Sequence, residues 1–236
     1  MNKLALLIVL GLGPSAPQAD QLEPSRAPLR SSVSKGATED IRGPAARGDS
    51  MTPWEESYSA EAAGKLEAAL SVLSGLPASQ RNGYLAEYRR GWLLYRLARY
   101  ADSVTSYRNA VTKEPGAVEA RVALLLPLMA LARWKDVAQG AEDVLKIDPE
   151  NYLATQRLAL AKFSTQRFSE AEAHYRRLLE LYPSDIEMRA GLAWTVLRMG
   201  KQSQAVTLFN QVLEVSGSHA SALRGLQDAR GQKASR

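Results

Sequence analysis

The chain has 236 residues, of which 45% are hydrophobic, 23% charged and 7% aromatic, a globular mixture that excludes collagen-like and wholly disordered chains. Lys and Arg exceed Asp and Glu by only 30 to 25, a small margin for a chain whose pI near 9.4 otherwise suggests a nucleic-acid surface. Cysteine is absent and histidine is limited to His174 and His219, which closes off disulfide frameworks, thiolate metal sites, cysteine nucleophiles and imidazole-rich catalysis.

Residues 1–19 read as an export signal. Lys3 supplies a positive start, Leu4–Gly13 an apolar run of ten residues, and Pro14–Ala19 a small, turn-forming end. Ten apolar residues are about half of what a membrane-spanning helix needs. Cleavage is expected after Ala16 or Ala19, although Pro17 fits neither site well. No cysteine follows for lipid attachment, so no stable membrane anchor is expected after cleavage. Residues 20–50 are rich in Pro, Ser, Gly and Ala, with five acids balancing five bases, and are expected to form a disordered linker.

Beyond the linker, Pro115, Pro149 and Pro183 recur every 34 residues, each closing a similar triplet: KEP, IDP and LYP. Aligning on them gives segments 50–83, 84–117, 118–151, 152–185 and 186–219. The seventeenth residue of each is Leu66, Tyr100, Trp134, Phe168 and Gln202; three residues later stand Ala69, Ser103, Val137, Ala171 and Ala205. Each segment holds two stretches of helical apolar period separated by a short polar or small break, such as Ala62–Lys65. Helix formers Ala, Leu, Glu and Arg dominate them.

This pattern resembles the tetratricopeptide repeat, most clearly in GWLLYRLARYADSVTSYRNAVTKEP at 91–115 and RFSEAEAHYRRLLELYP at 167–183. The likeness covers about 170 residues. Departures are the missing early tryptophan, the early glycine kept only as Gly91, Gly217 where the fifth repeat should carry proline, and an irregular GLPASQRNG loop in the first. The resemblance implies an all-α, right-handed superhelical solenoid of about five helix-turn-helix repeats. A capping helix is expected over 220–231, followed by a basic tail at 232–236. Pro127, inside LLLPLMAL, should bend its helix, since it donates no hydrogen bond to Ala123.

The resemblance also implies that the first helix of each repeat lines a concave face. Its ninth residues are Tyr58, Trp92, Leu126, Leu160 and Trp194, where the family commonly has asparagine; its twelfth are Glu61, Tyr95, Met129, Phe163 and Leu197. Leaving out Glu61, these residues with Trp54 and Tyr88 form an apolar, aromatic lining larger than a monomer normally leaves bare. Arg89, Arg157 and Arg198 lie beside it, suited to acidic groups on a bound segment. Four outcomes satisfy such a lining: a partner peptide or helix, the chain's own 20–50 segment, a second copy, or burial within a tightly wound superhelix.

No phosphate loop, nucleophile elbow, paired-histidine motif or calcium loop is present. Of the four excess bases in residues 51–236, three fall in 224–236, so the pI reflects a basic tail and not a phosphate track. The sequence therefore reads as a non-enzymatic scaffold without cofactor or metal, binding another protein or itself and not nucleic acid. Its expected location is outside the cytoplasm, the periplasm in a bacterium, with envelope assembly or service to an enzyme complex as roles by analogy.

Overall fold

The computed structural model describes residues 51–234, and residues 1–50, which carry the expected signal and linker, lie outside the described residues. Repeat two opens with α4 (Tyr84–Arg96) and α5 (Tyr100–Lys113), and the same pair returns as α6 (Val118–Ala130) and α7 (Trp134–Ile147). It returns again as α8 (Tyr152–Ser164) and α9 (Phe168–Leu181), then as α10 (Ile186–Arg198) and α11 (Gln202–Val215). First helices start at 84, 118, 152 and 186, and second helices at 100, 134, 168 and 202, so the 34-residue period of the sequence is the period of the fold.

Both turns of the repeat are fixed by local chemistry. Within a repeat, a residue in the left-handed region links the helices: Gly64, Ala98, Ala132, Gln166 and Gly200, with φ between 52° and 80°. Only the first and last are glycine, so the other three carry steric strain. The next residue but one begins the second helix, and in repeats two to four the base between them faces an acid three residues on. Arg99 pairs with Asp102, Arg133 with Asp136 and Arg167 with Glu170. Between repeats, the backbone closes a tight turn in which Ala117, Asn151, Asp185 and His219 donate to carbonyls three residues earlier, those of Glu114, Asp148, Tyr182 and Ser216. Gly217 thus makes the same turn as the three prolines, which explains why its departure from the pattern is tolerated.

The first repeat is the irregular one. Its helices α1 (Pro53–Ala62) and α2 (Leu66–Val72) are short, and a 3₁₀ turn (Leu73–Gly75) and one-turn α3 (Ala78–Arg81) replace the end of the second helix. Its start is well made: Thr52 and Glu55 form a reciprocal capping box with Pro53 at the first helical position. At the other end, α12 (Ala220–Ala234) runs three residues beyond the expected 231, into the expected tail. Gly231 has no steric conflict there, and Gln232, Lys233 and Ala234 are good helix formers, so the helix continues through it. Helix α6 is uninterrupted across Pro127, which is itself buried.

The core runs between helices as three successive clusters, one joining repeats one and two, one centred on repeats three and four, and one from repeat four to α12. The small residues of the second helices are its closest contacts: Ala69, Ser103, Val137, Ala171 and Ala205 are all fully buried. Ser103 Oγ even donates to the Gly91 carbonyl of the facing helix at 2.7 Å. No helix among the described residues is long and apolar enough to cross a membrane.

Candidate peptide-binding face

First helices contact one another in a row, α4 on α6, α6 on α8 and α8 on α10, while each second helix packs between its own first helix and the next. The row of first helices is therefore the inner layer, and the residues expected to line a groove sit on it. The structure divides them into two groups.

Toward the C-terminus they are interior. Leu126, Leu160, Phe163, Trp194 and Leu197 are all buried, which corrects the expectation that they line an open face. Trp194, at 1% exposure, packs edge-on against Phe209 with ring centroids 5.4 Å apart, and its indole donates to Ser221 Oγ of α12 at 2.9 Å. Phe163 makes a similar edge contact with Phe168 at 5.5 Å. Met129 is half-buried between two core clusters. The physical reason is that α12 and repeats four and five close tightly on one another, so aromatic residues at the ninth and twelfth positions become packing.

Toward the N-terminus the aromatics stay partly open. Tyr58 is 49% exposed, Leu85 65%, and Trp54, Tyr88, Trp92 and Tyr95 are half-buried. Their rings form two groups: Tyr84 stacks on Tyr88, and Trp92 lies 6.1 Å from Tyr95, which lies 5.7 Å from Tyr100. Behind them Tyr107 meets Tyr88 edge-on and fills the space beside Gly91, where a Cβ would come within 2.8 Å of the ring. Burial raises the Tyr88 and Tyr95 phenols above their usual range, so both are neutral donors at neutral pH.

One carboxylate organises this region. Glu61 ion-pairs with Arg89, accepts from Trp92 Nε1 at 2.6 Å and pairs with Arg96 at 3.2 Å. Arg89 also donates from Nε to Ser57 Oγ and from Nη2 to the Ser57 carbonyl, and its guanidinium lies 3.9 Å from the Tyr58 ring centroid. The first repeat is thus docked on α4 by a saturated polar network as well as by its small apolar core. Arg89 belongs to that network and is not available to a ligand. Arg157 is buried, with Nη1 donating to the Val122 carbonyl at 2.5 Å, and burial pushes its pKa down to about 10. Arg198 is exposed at the end of α10.

Sequence reasoning did not pick out Tyr84 or Arg96 for this face, and it placed Glu61 and Tyr100 only as repeat positions, without a role here. Glu61 had a visible signal, being the only acid in a column otherwise made of Tyr95, Met129, Phe163 and Leu197. Among the described residues, no group of histidine and acidic side chains is arranged to hold a metal ion. His219 serves structure: Nδ1 accepts from the Ala222 N–H at the start of α12, and Nε2 meets Glu187 at 3.1 Å.

Models of the tetratricopeptide repeat match residues 88–136, 128–194 and 163–229, together more than half of the chain. The chain belongs to that family, as a solenoid of stacked helix pairs. Among solved structures it is similar to MamA (residues 41 to the end) from Desulfovibrio magneticus RS-1, at 21% identity and a TM-score of 0.66, covering 71% of this chain and 95% of that one. It is also similar to TTC0263, a thermophilic protein of the same family in Thermus thermophilus (18%, TM-score 0.55, 75% and 96% covered). A third is YrrB, described as having an unusual peptide-binding site (13%, TM-score 0.65, 74% and 90% covered). At these identities the likeness establishes the fold. No curated protein matches.

Proposed function

We propose that this chain is a non-enzymatic adaptor that holds an extended or helical segment of a partner protein on the N-terminal part of its inner face, from Tyr58 to Tyr95. The observation that carries the reading is the asymmetry of that face. The C-terminal inner positions are consumed by packing, whereas Tyr58 and Leu85 remain exposed beside half-buried Tyr88, Trp92 and Tyr95. Aromatic anchors rimmed by arginine and carboxylate are the composition of binding hot spots. The protein acts after export and removal of residues 1–19, in the periplasm of a bacterial host, in the assembly or service of an envelope complex.

A photo-crosslinking residue placed at Leu85 or Tyr58 in the native host should give a discrete adduct, and one at Val215, on the end of α11, should not. Equal or absent adducts at the first two sites would refute the face. An adduct of the chain with itself would convert the reading to self-association. Mass spectrometry of the exported chain checks the export step; an intact N-terminus refutes it.

A further inference from the structure

A solenoid covers each helix with its neighbours, so only its two ends leave packing faces uncovered. In the internal first helices, the eighth and eleventh residues of the repeat lie under the second helix. Gly91, Leu125, Ala159 and Ala193 at the eighth position, and Leu94, Leu128, Lys162 and Val196 at the eleventh, are all buried. Helix α12 repeats the place of a first helix, but no second helix packs on it among the described residues. Gln227 and Arg230 hold those two positions there and are exposed, as is Leu223, one turn earlier, at 44%. At the other end, the third, sixth and tenth residues face the preceding repeat. They are buried in α8 (Ala154, Arg157, Ala161) and in α10 (Met188, Gly191, Thr195). Their counterparts at the start of the solenoid, Thr52, Glu55 and Ser59, are exposed.

The two uncovered faces carry opposite charge. Glu55 and Glu56 stand in the first turn of α1, and α12 carries Arg224, Arg230 and Lys233 against Asp228. Glu56 and Arg230 are both exposed and form no ion pair among the described residues. Two copies of either face would set like charges together, whereas one face laid on the other sets opposite charges together. The spacing agrees. The neighbour that α12 lacks is antiparallel to it, as in every repeat. Seven residues separate Glu55 from Ala62, and seven separate Leu223 from Arg230. One antiparallel register therefore sets Glu55 beside Arg230 and exposed Ala62 beside exposed Leu223. Ser59, between the two contacts on α1, is small and permits close helix approach.

We propose that α1 of one copy docks on α12 of the next, so that chains join head to tail through the ends of their solenoids. Such a contact is heterologous: each copy uses one face and leaves the other free, so it propagates as a row or closes as a ring. The inner face takes no part in it, and the inference stands apart from the peptide-binding reading above. With one apolar contact and exposed charges, the association is weak and salt-sensitive.

The test is sedimentation velocity of the chain as purified from its host, from micromolar to millimolar concentration. The weight-average mass should climb from one copy to two and beyond. Raising salt from about 0.1 M to about 1 M, which shortens the Debye length from about 10 Å to about 3 Å, should return it to one copy. Glu56→Lys with Ser59→Lys reverses the acidic end without touching the Thr52–Glu55 capping box, and Gln227→Glu with Arg230→Glu reverses the basic end. Each reversed chain alone should stay single. An equal mixture of the two should assemble again, because every basic end then meets an acidic one. A wild-type chain that stays single at all concentrations would overturn the inference, and so would assembly that high salt leaves intact. Assembly that survives either reversal, or that is not restored by mixing reversed chains of wild-type circular dichroism, would overturn it as well. The concentration and salt series are read on the wild-type chain, so they decide the matter even where a reversed chain does not fold.

Discussion

Gly225→Ala tests whether the capping helix is positioned by the closeness of its backbone to the core. An added Cβ would lie 2.1 Å from Phe209 Cζ and 2.5 Å from both Cε atoms, against an ordinary contact of at least 3.4 Å. The gap must therefore open by about 1.3 Å, the difference between those two distances. The Phe209 ring is fully buried and backed by Trp194, so it has nowhere to retreat. Helix α12 must lift instead, straining the Trp194–Ser221 hydrogen bond and the bond from Gln202 Nε2 to the Ala229 carbonyl. Overpacking costs about 1–3 kcal/mol, and a contact this short against a ring that cannot retreat belongs at the upper end; alanine returns up to about 1 kcal/mol of helix propensity, leaving a net loss of about 2 kcal/mol. Gly231→Ala, in the same helix with nothing within 4 Å, has only the propensity gain and should be neutral or stabilising. Urea unfolding by circular dichroism and tryptophan fluorescence measures both, with hydrogen exchange to localise the loss to α12 and α11. A Gly225→Ala chain as stable as wild type would refute the reasoning.

Four further outcomes follow from the same geometry. Ala132, with φ of 52°, should gain about 1 kcal/mol in Ala132→Gly by relief of left-handed strain, and Gly200→Ala should lose a similar amount; denaturant midpoints that move the other way would contradict this. Trp194→Ala should cost about 3–5 kcal/mol as a core truncation, whereas Tyr58→Ala, at a half-exposed site, should leave the thermal midpoint nearly unchanged. Glu61→Gln should leave buried Arg89 without its counter-ion and loosen the first repeat by about 1–3 kcal/mol, read as faster proteolysis within residues 53–81 and altered Trp92 fluorescence. Finally, Tyr84, Tyr88, Tyr95, Tyr107, Tyr152 and Tyr175 all have phenols raised above pH 10, chiefly by burial. The folded chain keeps those protons where the unfolded chain loses them, so their contribution to stability is intact below pH 10 and falls as pH rises beyond it. Arg157, lowered to about 10, acts in the opposite sense but is a single group. Absorbance at 295 nm should show most of the nine tyrosines ionising only together with loss of helicity, and independent titration near pH 10 would sink the assignment.

The sequence by itself determined the repeating unit. Pro115, Pro149 and Pro183, the large residue opening each second helix and the small one three residues later are all local to one helix pair. A solenoid repeats the same local solution, so period became architecture without further information. The same locality explains where reading failed. Trp92 and Trp194 hold the same ninth position, and nothing in their own repeats separates them. Trp194 is enclosed because Phe209 and the Ser221 of α12 close over it, and Trp92 stays half-open where the short first repeat meets its indole with the Glu61 carboxylate. Likewise Arg89 and Arg157 share a position, and only the residue standing one repeat earlier, Glu61 or Met129, decides whether the charge is met. Exposure and charge compensation belong to the junction between repeats and not to the repeat, because apolar burial depends on which neighbour covers a side chain and not on the side chain alone. That is why the sequence settled the fold, and the tertiary structure decided which part of its inner face is left to bind.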